Sequence, residues 1–287
     1  MVLNGGLPWP GTNAGTPAAA VTPPVLSLTP VQGKPADYLN QLADRVAELP
    51  AEHDEGAYQY TKTWGWWLHT AADVPGGAAN AAVPTITETW IDKRDSGRRL
   101  STYGDPIFPD PKQEQAARDA GLVAGKKIDD DRYGAGKFPD AGQTWQGIEP
   151  FSHNPDQLAG QLKQVNWEGG MIIFGVSDML HYAERSGPVD PKLRAAALRV
   201  LADTPGLKVS TATTWKGRHV VAVTQEKTWH GSTERNSIFF TPDTAYPVGS
   251  EEALFGNARQ LNVRVPATLA VTETIERRPV TTVQERP

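Results

Sequence analysis

Residues 58–70 read YQYTKTWGWWLHT, with three tryptophans and two tyrosines among the first ten positions. Tyr58, Tyr60, Trp64, Trp66 and Leu68 share one parity, interrupted only by Lys62; Gln59, Thr61, Thr63, Gly65 and His69 share the other. Apolar residues recurring every second position mark a half-buried strand, because successive side chains leave a strand on opposite faces. The pattern therefore predicts that most of these rings are core rather than a stacking platform. Trp67 alone breaks the polar side, which makes it the ring expected to be partly exposed and the better candidate for a ligand or partner contact. Tyr58, Tyr60, Trp64 and Trp66 are expected to line the concave side of a sheet, beneath a helix at 170–184.

Ahead of this strand, PADYLNQLADRVAEL (35–49) carries Leu39, Leu42, Val46 and Leu49 at three- and four-residue steps, the spacing of one helix face. Pro35 suits a first helical turn and Pro50 a stop. Upstream, residues 1–34 are rich in Gly, Pro, Ala and Thr and hold no charge before Lys34. Such a composition offers little apolar surface against its ordering entropy, so it predicts a linker or stalk. A stalk at the start of the chain suggests an upstream membrane segment lying outside this sequence.

Beyond the strand, residues 73–84 read as a Gly/Ala/Asn/Pro loop, and TITETWIDKRDSGRRLSTYG as a hairpin turning at Asp95, Ser96 and Gly97. Residues 104–150 hold many Gly, Pro and Asp residues, and predict a long irregular insertion with a short helix at 112–120. Three helical signals follow. Asn154–Pro155 and Asp190–Pro191 each give a cap with proline at the first position. Between them, Ile172, Ile173, Val176, Met179, Leu180 and Ala183 form one broad apolar face. From Leu207 the period returns to two, with turns at KG, HG and PDT, a last strand near 268–278 and a polar tail at 281–287. Segregated helices and an antiparallel meander predict one α+β domain over 35–280, a curved antiparallel sheet with helices on its concave face.

The chain has 287 residues and a net charge of −5, which gives no general attraction to nucleic acid. With no cysteine, thiolate metal sites and cysteine nucleophiles are excluded. No run of 18 apolar residues is present. Catalytic signatures fail too: there is no GxSxG elbow and no HExxH, and YGAGKF lacks P-loop spacing. Asp129–Asp131 cluster carboxylates without the alternation of a calcium loop. The histidines at 53, 69, 153, 181, 219 and 230 include no pair three or four residues apart, so no helix-borne metal pair exists. His181, on the apolar helix, either borders an interior cavity or is a packed imidazole.

The stretches LNQLADRVAELP, YQYTKTWGW, ETWIDKRDSGRRL, DPKLRAAALRVLADTPGLKV and SIFFTPDTAYPVGSEEAL resemble a family of actinobacterial membrane-anchored extracytoplasmic proteins, often encoded beside extracytoplasmic-function sigma factors. The last strand pair, with its Pro242-Asp243-Thr244 turn, also resembles the lipoprotein-carrier fold of LolA and RseB-type sensors, in which a half-barrel sheet holds helices over a hydrophobic cavity. The resemblance implies an extracytoplasmic domain, tethered to the cytoplasmic membrane, that binds a lipid, acyl chain or envelope partner. It supplies no catalytic residues and no cofactor. Trp64, Trp66, Trp67, Met179 and His181 are then the expected ligand contacts. A hydrolase with a His/Asp site assembled across the fold is the alternative.

Overall fold

The computed structural model describes residues 24–52, 56–71, 78–108, 111–123, 128–139, 145, 148–165, 172–185, 187–229, 231–258, 261 and 263–286. Ten strands form one antiparallel sheet: β1 (Thr29–Pro30), β2 (Tyr58–Ala71), β3 (Ala79–Ile91), β4 (Gly97–Tyr103), β5 (Ile128–Tyr133), β6 (Lys208–Thr213), β7 (His219–Trp229), β8 (Ser232–Phe240), β9 (Pro247–Gly256) and β10 (Ala267–Val280). Their spatial order is β1-β6-β7-β8-β9-β10-β2-β3-β4-β5, so the sheet is open, with β1 and β5 as edges. Five helices are described in full: α1 (Pro35–Ala47), α2 (Pro111–Asp119), α3 (Pro155–Gln164), α4 (Ile172–Glu184) and α5 (Pro191–Ala202). The fold is α+β, as the segregated periodicities predict.

The helices begin where the caps place them. Asn154 accepts a hydrogen bond from the Gln157 amide, and Asp190 accepts one from Lys192, each with proline at the first turn. Their apolar stripes meet in the main core, where Leu39, Leu42, Val46, Leu158, Val176, Met179, Leu180, Leu198 and Leu201 pack against Val209, Val221, Val223, Ile238 and Phe240 of the sheet. Each fully buried aliphatic chain contributes about 1.5–3 kcal/mol, which makes this layer the principal source of stability.

Paired residues in an antiparallel ladder share a face, and this assigns β2. Val223 pairs with Ile238 under the helices; Ala222 and Phe239, one step along, occupy the far face. Phe239 pairs with Gly249, Gly249 with Glu273 and Glu273 with Trp64, while Val271 pairs with Trp66. Trp64 and Trp66 therefore stand on the face opposite the helices. This corrects the expectation that they lie beneath 170–184: alternation sorts side chains between two faces, but the helices took the face that β2 fills with threonine.

Two further boundaries differ. The β3 strand begins at Ala79, so half of the expected 73–84 loop is strand, its Ala-rich backbone held by thirteen register pairs with β2. Within the expected linker, residues 24–31 pack on the sheet: β1 pairs with β6, the Leu26 amide donates to Glu251 at 2.7 Å, and the Leu26 carbonyl accepts from Arg235 at 3.0 Å. Two alternating leucines, Leu26 and Leu28, join Val220, Ala222 and Phe239 there. The expected 104–150 insertion holds α2 and the edge strand β5.

Candidate binding site on the far face of the sheet

The turn between β6 and β7 folds over the far face and brings Trp215 onto β2. Thr214 donates its hydroxyl hydrogen to Glu273 at 2.7 Å, and the Lys216 amide donates to the same carboxylate at 3.3 Å. Glu273 is buried, which pushes its carboxyl pKa up, while its bond from Thr214 pulls the other way. The ring of Trp215 lies 6.5 Å from Trp64 and 6.3 Å from Phe239, and its indole nitrogen donates to the Pro24 carbonyl at 3.1 Å. Trp64 in turn sits 5.8 Å from Trp66, and the Lys216 ammonium lies 4.1 Å from the Trp64 ring centre. An ammonium over an indole is attracted by the ring quadrupole.

From Trp64 a register row holding two isoleucines and the exposed Thr102 crosses the sheet to its edge. Trp64 pairs with Ile86, Ile86 with Thr102 and Thr102 with Ile128, about 14 Å at the usual strand spacing. Trp64 and Ile86 are half-buried, and Ile128 is 54 % exposed. The next two rows on this face meet the C-terminal segment: Arg286 pairs with Glu88 in the first, while in the second the Trp90 indole donates to the Glu285 carbonyl and Arg98 donates to the Val283 carbonyl. Tyr60 lies in the second row and donates to Glu88 at 2.8 Å. Lys62 stands beside Trp64 on the same face, opposite Glu88. The result is a mostly apolar strip bounded by the C-terminal segment and flanked by two lysines.

The expected contacts do not converge. Trp66 is buried with Leu68, Val263, Leu269 and Val271, and packs beside Trp64. Trp67 is half-buried on the helix side of the sheet. Met179 is fully enclosed in the helix core. His181 is exposed, with its Nδ1 2.8 Å from the Ser177 carbonyl of its own helix. Only Trp64 and its neighbour Trp66 belong to the strip. Trp215, Lys216, Ile86 and Ile128 escaped sequence reasoning; a tryptophan inside the turn TTWKG was the one available signal.

Among the described residues no cluster of His, Asp and Glu has metal-holding geometry. His153 and Asp190 approach to 4.0 Å, both well exposed at helix starts, and the adjacent Ser152 hydroxyl donates to Gln157 instead. Between α1 and α5 lies a cavity of about 190 Å³, lined by Leu39, Leu201 and Leu207, smaller than the usual ligand pocket. No family model, curated protein or solved structure matches the chain.

Proposed function

We propose that the chain is a non-catalytic binding module of the cell envelope that takes a single-chain anionic amphiphile along the Trp64 strip. The observation that carries this reading is the half-buried Trp64, followed in register by Ile86, Thr102 and the exposed Ile128, with Lys216 poised over its ring and Lys62 beside it. Apolar side chains left open in a row, with cations at one end, fit an acyl chain whose carboxylate meets the lysines. The inner end of the strip is rigid, since the neighbouring Trp66 is buried against Leu68, Leu269 and Val271. A surface row that merely completes a secondary core would be closed over Ile86 and Ile128 as the next row is closed by residues 281–286.

The folded-over Thr214 turn supports a half-open trough. In a flat sheet the strands β6 and β10 would stand about 19 Å apart, yet Thr214 and Glu273 are hydrogen-bonded. In a lipoprotein-carrier arrangement helices fill that trough; here the strap of residues 24–28 and Trp215 occupy part of it. The spacer-like composition of residues 1–34 and the resemblance to sigma-factor-linked envelope proteins support a site outside the cytoplasmic membrane, where a captured acyl compound would be sensed.

Titration of the full chain with laurate below its micellar concentration, followed by indole resonances, tests the reading. Saturable shifts of the Trp64 and Trp215 indoles, weakened about tenfold or more in Lys216→Gln, are expected. Shifts that are non-saturable, or equal at all nine tryptophans, would rule it out.

A further inference from the structure

Residues 24–31 meet the sheet as a bound peptide would. The Pro24 carbonyl accepts from the Trp215 indole at 3.1 Å, and the Leu26 amide donates to Glu251 at 2.7 Å. The Leu26 carbonyl accepts from Arg235 at 3.0 Å. Thr29 and Pro30 then lie in register with Thr211 and Ser210 of β6, and the Val31 amide donates to the Val209 carbonyl at 3.1 Å. The side chains alternate. Leu26 and Leu28 enter an apolar patch made by Ala212, Val220, Ala222, Phe239 and Val248, whereas Ser27 and Thr29 are exposed. Main-chain bonds together with pockets for alternate side chains are the anatomy of β-strand addition.

Two features separate this segment from an ordinary terminal strand. The first is the pair that reads Leu26. Glu251 takes the N–H and Arg235 reaches the C=O of the same residue, and the two side chains also bond each other. Both are buried, and a buried ion pair offsets its desolvation only with further hydrogen bonds of good geometry. The sheet thus carries a receptor that an extended main chain completes. The second feature is the connection to α1. Gln32, Gly33 and Lys34 are all exposed; Gly33 has φ +83°, with nothing within 4 Å of where a Cβ would stand. The reversal from β1 into α1 therefore turns on one glycine that no packing holds. Pro24 and Pro30 bracket the segment and favour its extended form before it binds.

We infer that residues 24–31 are an exchangeable ligand of this groove, and that two copies of the chain pair by trading them reciprocally. A second copy is the occupant because it carries the matching segment, with Leu26 and Leu28 at the spacing the groove already holds. Exchange re-forms the same bonds and alters only residues 32–34. Reciprocal exchange also closes with twofold symmetry and leaves no groove empty. Within one chain the short connection keeps the segment at an effective concentration of about millimolar, so a dilute chain retains its own. Shortening the hinge reverses that preference. In the exchanged form the partner's Pro24 holds Trp215, so each copy completes the other's far face. The inference does not depend on the acyl-binding reading.

The test is deletion of Gln32 and Gly33 from the full chain, read by sedimentation. Without the reversal, residues 24–31 reach only a neighbour's groove, so the variant should be a dimer where the wild type is a monomer. Leu26→Asp in the same background should weaken that dimer about tenfold or more. A folded monomer, or a dimer indifferent to Leu26→Asp, would overturn the inference. If the shortened chain does not fold, the wild type decides. A mixture of ¹³C-labelled and unlabelled full chains is unfolded in urea and refolded at about 1 mM, near the effective concentration of the tethered segment. A dimer fraction should appear, with nuclear Overhauser effects from the Leu26 and Leu28 methyls of one copy to Val220 and Val248 of the other. No dimer, or effects confined to one copy, would refute reciprocal exchange.

Discussion

Glu273 on β10 accepts a hydrogen bond from Thr214 on the β6–β7 turn at 2.7 Å, although β7, β8 and β9 separate their strands in the sheet. This contact fixes the turn over the far face and seats Trp215 against Trp64. Thr214→Val should release it, leave Glu273 buried with one donor fewer and cost about 1–3 kcal/mol in a denaturant titration. The same variant should weaken laurate binding, whereas an exposed threonine such as Thr211 should tolerate the change within about 0.5 kcal/mol.

The strap at residues 24–28 is structural. Its Leu26 amide is held by Glu251, whose carboxylate also pairs with Arg235 in a buried contact. Deleting residues 1–28 removes the Leu26 and Leu28 packing and leaves that pair uncovered. A loss on the order of 3–5 kcal/mol is expected, measured as the shift in urea midpoint at constant slope. A midpoint equal to that of the full chain would restore these residues to the role of a passive linker.

The two neighbouring tryptophans of β2 should separate cleanly. Trp66 is enclosed by Leu68, Leu269 and Val271, so Trp66→Ala should cost about 3–5 kcal/mol. Trp67 is half-buried and lies over Gly65, so Trp67→Ala should cost about 1 kcal/mol. Gly65→Val should be worse than Trp67→Ala, because it displaces the ring and strains the strand; acrylamide quenching should then rise.

His69 gives a pH test. Burial lowers its pKa from 6.5 to about 4, so the unfolded chain takes up the proton first. The neutral imidazole's contribution is present above pH 6.5 and is lost as pH falls toward 4, about 1–3 kcal/mol after allowance for partial exposure. Buried Glu184, Glu251 and Glu273, and the half-buried Glu252, have pKa values raised by desolvation and act oppositely, since their protonation on acidification favours the folded state. The difference between wild type and His69→Gln isolates the histidine: it should be constant above pH 7, and the wild type should lose stability relative to the variant as pH falls from 6.5 to 4.

Period-two alternation made β2, and β6 through β10, legible from residues alone. It could not say which face would receive the helices, because that depends on the far half of the sheet, where Val221, Val223 and Ile238 recruit α4 and α5. Ala79–Pro84 escaped because alanine, asparagine and proline have little strand preference; pairing with β2 overrides it. The strap escaped for a related reason, since Leu26 and Leu28 are two apolar residues among prolines and gain their place only through Glu251 and Arg235. Trp215 and Ile128 reach Trp64 by a folded turn and by strand register, relations that no local spacing encodes.

The most direct measurement is a search for intermolecular nuclear Overhauser effects between the methylene protons of bound laurate and the aromatic protons of the assigned tryptophans. The account requires contacts from the chain to Trp64 and Trp215, continuing to the methyl groups of Ile86 and Ile128, with the carboxylate end nearest Lys216. Contacts confined to Trp67, or to Met179 and the helix core, with Trp64 and Ile86 silent, would contradict it.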